Sequence, residues 1–441
     1  MPLVPLALRR DPLDVLASLA SEPGAVLLAV PDPTHPVTLL GAHPVAELCI
    51  AEGDDDPFTA IARFVADTPV DPDLPFPLAG GVVAALAYEL GSGQAPHAAR
   101  HPSDAPIAVL RRYDPLLVWD HRRMQYALLT TDPSRPRPSW LERVAMPVDP
   151  WTGALGGAPL AATVPPERYL AAARRILDYL AAGDAYQVNL TQPFAAPLAG
   201  PAHALFARLC RLHPVPRAAY LDLGAAQLVG NSPELLLRRR GRRVETHPIK
   251  GTRPRGADPA RDAALIAELR RDPKENAEHV MIVDLERNDL GRVCAPGSVT
   301  VQALADVESH ATVHHLVSRV SGSLRADTGL ADVLAAIFPG GSITGAPKIR
   351  AMEIIAELED GPRGVYTGAL GLLDPRGDVE LALPIRTGVV RDGVVRWHAG
   401  GGIVADSSPE RELAEAWLKT AALRLALGER LHPELEQCSS G

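Results

Sequence analysis

The chain of 441 residues carries 46% hydrophobic and 22% charged residues, enough for two or three ordinary domains or one large α/β unit. Its formal charge of −9 argues against non-specific nucleic-acid binding, which needs clustered positive charge. No apolar run approaches the ~18 residues that span a bilayer, and Arg9 and Arg10 follow the apolar start instead of preceding it, so a soluble, cytoplasmic protein is expected.

In chain order, residues 13–20 read as a helix, and 26–30 and 37–40 as strands broken by Pro31, Pro33 and Pro36. Gly80–Leu90 is apolar enough to be buried. Leu116–Trp119 and Tyr126–Thr131 pattern as a hairpin around Asp120–Arg123. From Asp132 to Pro166 the chain is rich in Pro and Gly without periodicity, which predicts a linker or long surface crossing. That divides the chain into an N-terminal subdomain, 1–150, and a second domain, 165–432.

Pro166–Ala182 is an amphipathic helix with Tyr169, Ala172, Ala173, Ile176 and Leu180 on its apolar face. Strands are predicted at Tyr186–Thr191, Ala218–Leu223, Gln227–Val229, Leu235–Arg238 and Arg243–Pro248. Asp272 and Pro273 form an N-cap and first-turn pair opening a helix to about Leu285. Ala346–Leu358 is a further helix. Tyr366–Leu373, Val379–Arg386, Val389–Arg391 and Val394–His398 read as one antiparallel meander. Ser408 and Pro409 start a last long helix to about Leu427, and the tail after Pro433 reads as disordered. Strands that follow one another without intervening helices predict an α+β fold of antiparallel sheets with helices on one side of each. No nucleotide-binding GxGxxG or GxxxxGK[ST] motif is present.

Cys49, Cys210, Cys294 and Cys438 stand far apart and predict no disulfide framework. Lysine is scarce, four against 40 arginines, so Lys250, Lys274, Lys348 and Lys419 are candidates for chemistry that a permanently charged guanidinium cannot do. The ordinary reading of each is a solvated charge. Glu275 and Glu278, and likewise Glu412 and Glu415, stand three apart on predicted helices, so each pair shares a face. Most such pairs are solvated. Here the apolar run Val280–Val283 and the Trp417–Leu418 pair suggest partly buried faces, where carboxylates need a partner such as a hard cation. Gly251 and Thr252 can present amides and a hydroxyl to an anion beside Lys250, though Lys-Gly at a strand end is also a routine turn. Glu234 is either a desolvated general acid or a turn glutamate. Gly400–Gly402 permits close approach to a ligand, and a flexible turn explains it equally well. Of His314 and His315, one has the look of a satisfied core histidine. Together with Arg386 and Tyr366, these residues imply a small polyanionic substrate.

The stretches AYQVNLT, NSPELL, PIKGTRPRG, DPKENAEHVMIVDLERNDLGRV, TVHHL, FPGGSITGAPK, RGVYTGALG and AGGGIVADSSPERELAEAWLK resemble the chorismate-using enzymes. That family contains the anthranilate synthase large subunits, aminodeoxychorismate synthase component I, and the isochorismate and salicylate synthases. The resemblance runs in family order from Pro166 to about Leu427 and continues more weakly in YDPLLVWDH and GGVVAALAYELG. It implies an anthranilate-synthase-like fold, two large and mainly antiparallel sheets packed together with helices outside.

The resemblance also implies a Mg²⁺ ion on Glu278 and Glu415, with Glu275 and Glu412 holding its waters. Glu234 matches the acid for the leaving C4 hydroxyl. Gly251, Thr252, Tyr366, Arg386, Gly400, Gly402 and Lys419 match contacts to the substrate carboxylates, and His315 and Ser342 match positions beside the ring. Ser342 departs from the threonine common among relatives and keeps the hydroxyl. Gln187 stands where water-adding relatives have a lysine base, and since Gln cannot activate water this argues against hydroxylation. Lys250 stands where anthranilate synthases have alanine, so PIKGT is the aminodeoxychorismate synthase form. It implies amination of chorismate to 4-amino-4-deoxychorismate, for 4-aminobenzoate and folate, through a covalent Lys250 intermediate. Anthranilate synthesis is the alternative. Ammonia is expected from a separate glutamine amidotransferase subunit, since no cysteine has a nucleophile-elbow pattern. Leu27–Val30 lacks the polar residues of the tryptophan pocket found in anthranilate synthases.

Overall fold

The computed structural model describes residues 3–95, 97–98, 101, 103, 105–134, 136–309 and 313–430, with the Lys274 side chain left out. The predicted tail after Pro433, with Cys438, lies outside the described residues, as does Thr312.

Runs such as Val26–Val30 and Val82–Leu86 are apolar at successive positions because both faces of their sheets are covered. Val26, Leu28 and Val30 point into a core shared with Val83, Ala85, Leu370 and Leu372 of the opposing sheet. Leu27, one residue out of phase, packs instead on a helical layer with Leu16, Leu19 and Phe206. The layers are therefore helices, sheet, sheet, helices.

One sheet has 12 strands. Its main path runs Leu3–Leu6, Gln125–Leu129, Leu116–Asp120, Val37–Gly41, Val26–Val30, Arg217–Asp222, Gln227–Ser232, Thr387–Arg391, Val394–Ile403, Gln187–Pro197, Gly345–Ala346. The other has 10 strands among the described residues; its main path runs Ile249–Pro254, Val313–Ser323, Arg243–His247, Leu235–Arg240, Val379–Ala382, Ala369–Leu373, Val82–Leu86, Ala108–Arg112, Ala46–Ile50, and Thr300–Ser309 pairs with Val313–Ser323 off this path. The strand pairings are antiparallel, as in Val26↔Gly41 and Ala369↔Leu86. This is the expected α+β architecture of two large antiparallel sheets with helices outside. Strands from before residue 130 and after residue 187 lie side by side in both sheets.

Four local expectations need correction. The Pro- and Gly-rich stretch is not a bare crossing: Ser139–Ala145 is a helix that buries Trp140, Leu141 and Val144, and Leu155 and Leu160 are buried beyond it. The single meander is two hairpins in different sheets, because the chain changes sheet between Ala382 and Thr387. The last helix is two, Pro409–Leu418 and Ala421–Leu427, parted at Lys419 and Thr420. The helix opened by Asp272 runs on to Gly291, since polar residues beyond Leu285 also find buried partners, and a further helix, Pro259–Arg271, precedes it.

Candidate active site

The chain switches between sheets twice at one end of the sandwich, and these crossings position the first group of residues. Ser232-Pro233-Glu234 leads from the strand Gln227–Ser232 into Leu235–Arg240, and Leu383–Arg386 makes the return journey. The crossings are tied together by Leu383 N–H donating to the Glu234 carbonyl at 3.1 Å and by the Ser232 hydroxyl donating to the Leu383 carbonyl. Glu234 is 5% exposed and accepts the Ser342 hydroxyl at 2.7 Å. Burial pushes its carboxyl up to about 7, against the opposing pull of Ser342, the Lys250 charge and the Ile249 amide. A carboxyl so tuned is half protonated near neutrality, as a general acid needs to be. Arg386 adopts φ 51°, a strained region for a side chain with a Cβ, and its carbonyl accepts Asn231 N–H at 3.1 Å. Burial lowers its guanidinium.

Lys250 lies on the edge strand Ile249–Pro254, where the register against Val313–Ser323 slips between Lys250 and Thr252. Gly251 occupies the irregularity at φ 68°, and a Cβ there would meet Leu269 at 2.9 Å and the Glu275 carboxylate at 3.3 Å. The bulge re-aims Lys250 so that its charge is felt by both Glu234 and buried His279. Beyond it, Thr252 Oγ1 bonds His315 Nδ1 at 2.9 Å. His314, fully buried between Asp262 at 2.9 Å and Ser309 at 2.8 Å, is the satisfied core histidine of the pair.

The two glutamate pairs come from facing helices. In Pro273–Gly291, capped by Asp272 Oδ1 accepting Glu275 N–H at 3.1 Å, burial raises the Glu275 carboxyl, with further push from Glu278, Asp272 and, more weakly, Glu415. In Pro409–Leu418, Glu412 is buried and accepts the Ser407 hydroxyl at 2.7 Å. Lys419 donates to Glu415 at 2.8 Å and to the Gly400 carbonyl at 2.7 Å. Among the described residues, no three carboxylate, imidazole or thiol groups stand together as a closed metal site. The donor chemistry nonetheless fits a hard divalent ion: the Glu275 carboxyl feels Glu278 on its own helix and Glu415 on the facing one, and a Cβ on Gly401 would fill the space beside Glu412, Glu415 and Lys419.

Gly400–Gly402 is not a turn. All three lie within the strand Val394–Ile403, opposite Thr191, Leu190 and Asn189. A Cβ at Gly400 would sit 2.0 Å from the Leu190 carbonyl, and one at Gly402 2.6 Å from Gln187 Nε2. Gln187 is fully buried, and neither of its amide atoms has a hydrogen-bond partner among the described residues. Tyr366 lies in the turn before Ala369–Leu373, its ring 5.4 Å from His398 and its hydroxyl raised by burial.

The structure thus joins several of the predicted residues into one chain of neighbours: Ser342–Glu234–Lys250, then Gly251–Glu275, then Glu278 and Glu415, then Lys419–Gly400, with Gln187 behind Gly402. Sequence reasoning missed His279, whose only signal was its place directly after Glu278. It also missed Tyr169, whose buried hydroxyl is raised by desolvation and by Glu412 and Glu415. In the sequence Tyr169 shows only as one residue of an apolar helix face.

The family model for chorismate binding enzymes matches residues 24–424. Anthranilate synthase component 1 of Thermus thermophilus is 45% identical over 382 residues, which span 84% of this chain and 82% of that protein. Aminodeoxychorismate synthase component 1 of Klebsiella aerogenes is 41% identical over 370 residues, 82% of this chain and 81% of that protein. The crystal structure of anthranilate synthase component I from Streptococcus pneumoniae TIGR4 superposes with a TM-score of 0.78 at 30% identity, covering 89% of this chain and 93% of that one.

Proposed function

The chain belongs to the chorismate-binding enzymes, and from that premise we propose that it aminates chorismate at C4, releasing water and retaining the enolpyruvyl group. The observation that carries this reading is Lys250, set by the Gly251 bulge so that its charge reaches buried Glu234. Lys250 first gives its ammonium proton to solvent, and its amine then attacks C2 of the diene while Glu234 gives its proton to the departing C4 hydroxyl, so a C–N bond forms, a C–O bond breaks, water leaves and the new ammonium returns a proton to Glu234. Ammonia then bonds to C4 and the C2–N bond breaks, returning the lysine and leaving 4-amino-4-deoxychorismate. The Ser342 hydroxyl orients the acid, and Thr252 with His315 lines the ring.

Arg386, Tyr366, Lys419 and the amides at Gly251, Gly400 and Gly402 hold the substrate carboxylates. Glu278 and Glu415 would hold a magnesium ion directly, and Glu275 and Glu412 through water. Such an ion, when bound, neutralises a substrate carboxylate and polarises the leaving group. Gln187 bears no titratable nitrogen and activates no water, which favours amination over hydroxylation. Ammonia would reach the site from a separate glutaminase subunit.

A second reading, amination at C2 with loss of pyruvate to give anthranilate, is favoured by the Thermus relative. Chorismate, Mg²⁺ and an ammonium salt incubated with the purified chain separate the two. The expected product is 4-amino-4-deoxychorismate without pyruvate, and fluorescent anthranilate with an equal amount of pyruvate overturns the proposal. Lys250→Ala is expected to lower turnover at least about 100-fold. In a quenched reaction, intact-protein mass spectrometry should find a gain equal to chorismate less one water, absent in that variant.

A further inference from the structure

The helix Pro273–Gly291 carries more than the glutamates of its first turns. Two turns beyond Glu278, Glu286 and Asp289 are turned inward, 4% and 3% exposed. Asp289 is balanced by Lys348, which is buried and donates to it at 2.5 Å and to the Pro339 carbonyl at 2.8 Å. Among the described residues no cation pairs directly with Glu286. Its Oε1 accepts the Gly341 amide at 3.1 Å, and the next residue, Ser342, is the one that donates to Glu234. Gly341 is required by this approach, since a Cβ there would lie 2.8 Å from Leu285 and 3.1 Å from Glu286 Oε1. Burial, and then the Asp289 charge, hold the Glu286 carboxyl above the ordinary carboxylate range, with Lys348 opposing.

We propose that Glu286 is a positioning residue for Glu234: by accepting the Gly341 amide it fixes the Gly340–Ile343 turn and keeps the Ser342 hydroxyl aimed at the acid. A buried carboxyl is an expensive way to satisfy one amide, and a water or a backbone carbonyl would serve if packing were the only need. Here the bonded amide and the catalytic hydroxyl belong to adjacent residues of a three-residue helical turn, so a loosened amide swings the hydroxyl.

The proposal rests on Glu234 acting as the acid, and the assay keeps the two apart: product identity with the unmodified enzyme tests the reaction, and ratios between variants test Glu286. Glu286→Gln keeps an acceptor for Gly341 in the neutral form and is expected to retain kcat within about threefold. Glu286→Met removes the acceptor at similar volume and is expected to lower kcat at least 20-fold with KM changed less than threefold. In a Ser342→Ala background, the same Glu286→Met change should cost less than threefold, because the group it positions is gone. Full additivity of the two changes, or a fall in kcat for Glu286→Gln equal to that for Glu286→Met, overturns the proposal. Should Glu286→Met not fold, Glu286→Ala in the same cycle decides it.

Discussion

A single carboxyl shows most directly how this protein exchanges stability for chemistry. Glu234 titrates near 7 in the folded chain, against about 4.3 for an unperturbed glutamate. Its folded pKa is raised, so the native state holds the proton more tightly. The stability this contributes is complete below about pH 4 and is lost as pH rises through 7, at about 1.4 kcal/mol per unit of separation, or roughly 3.5 kcal/mol by pH 8. Glu234→Gln should therefore gain stability relative to the parent as pH rises: a difference larger by about 2–3 kcal/mol at pH 8 than at pH 5 in urea melts, with turnover down about 10²–10⁴-fold. An identical difference at both pH values would mean that Glu234 is not the buried acid described. In the parent enzyme, the rate should fall as pH climbs past 7. The sequence offered Glu234 as a choice between turn residue and acid, and the structure places it in a turn with the buried, raised carboxyl that an acid needs. The turn is a crossover between sheets, which no local pattern announces. Lys348 went the other way: its rarity marked it, but its ammonium is consumed by Asp289.

At the level of elements, periodicity identified many strands and helices but passed over others, among them the helices Pro57–Ala66, Ala202–Leu212 and Leu330–Ile337 and the long strands Thr300–Ser309 and Val313–Ser323. Where a segment was read wrongly, one cause recurs. A pattern reads a segment against its own neighbours, while the three glycines at 400–402 answer to a strand two hundred residues away. Read locally they permit a turn, yet in the sheet they remove side chains that would strike the Leu190 backbone and Gln187. The break at Lys419 and Thr420 is partly local, since Thr is a weak helix former, and the Lys419 ammonium, donating to the Gly400 carbonyl, ties this end to the sheet. The glycines give a graded prediction. Gly400→Ala presses a Cβ onto backbone and should destabilise the fold by more than about 2 kcal/mol in a urea melt. Gly402→Ala meets the end of a side chain, so the protein should fold within about 1 kcal/mol of the parent while Gln187 is displaced and turnover drops at least tenfold. Equal stability of the two variants would contradict this account of the strand.

Over the whole molecule, the antiparallel α+β class was legible because the strands run without intervening helices, but the order of strands was not. Leu27–Val30 illustrates why. Its lack of polar residues showed in the sequence, and the strand proves to be central, hydrogen-bonded on one side to Val37–Gly41 and on the other to Arg217–Asp222. The cavity beside it, about 10 Å³ and lined by Arg217 and Glu380 among others, is too small for an indole. A division at 150–165 follows composition, whereas the hydrogen bonds cross it repeatedly, as Val82–Leu86 does in pairing with Ala369–Leu373. Expressed alone, residues 165–430 would leave Arg217–Asp222 and Ala369–Leu373 as bare apolar edges and uncover the inter-sheet face of Leu221, Leu228, Leu370 and Leu372. We expect that fragment to lose near-ultraviolet circular dichroism, to bind anilinonaphthalene sulfonate and to turn over no chorismate. A cooperative unfolding transition for the fragment, with ammonia-dependent turnover, would show that the first 164 residues are an accessory. The interleaved sheets predict instead that they complete the two crossings on which Glu234 and Arg386 are held.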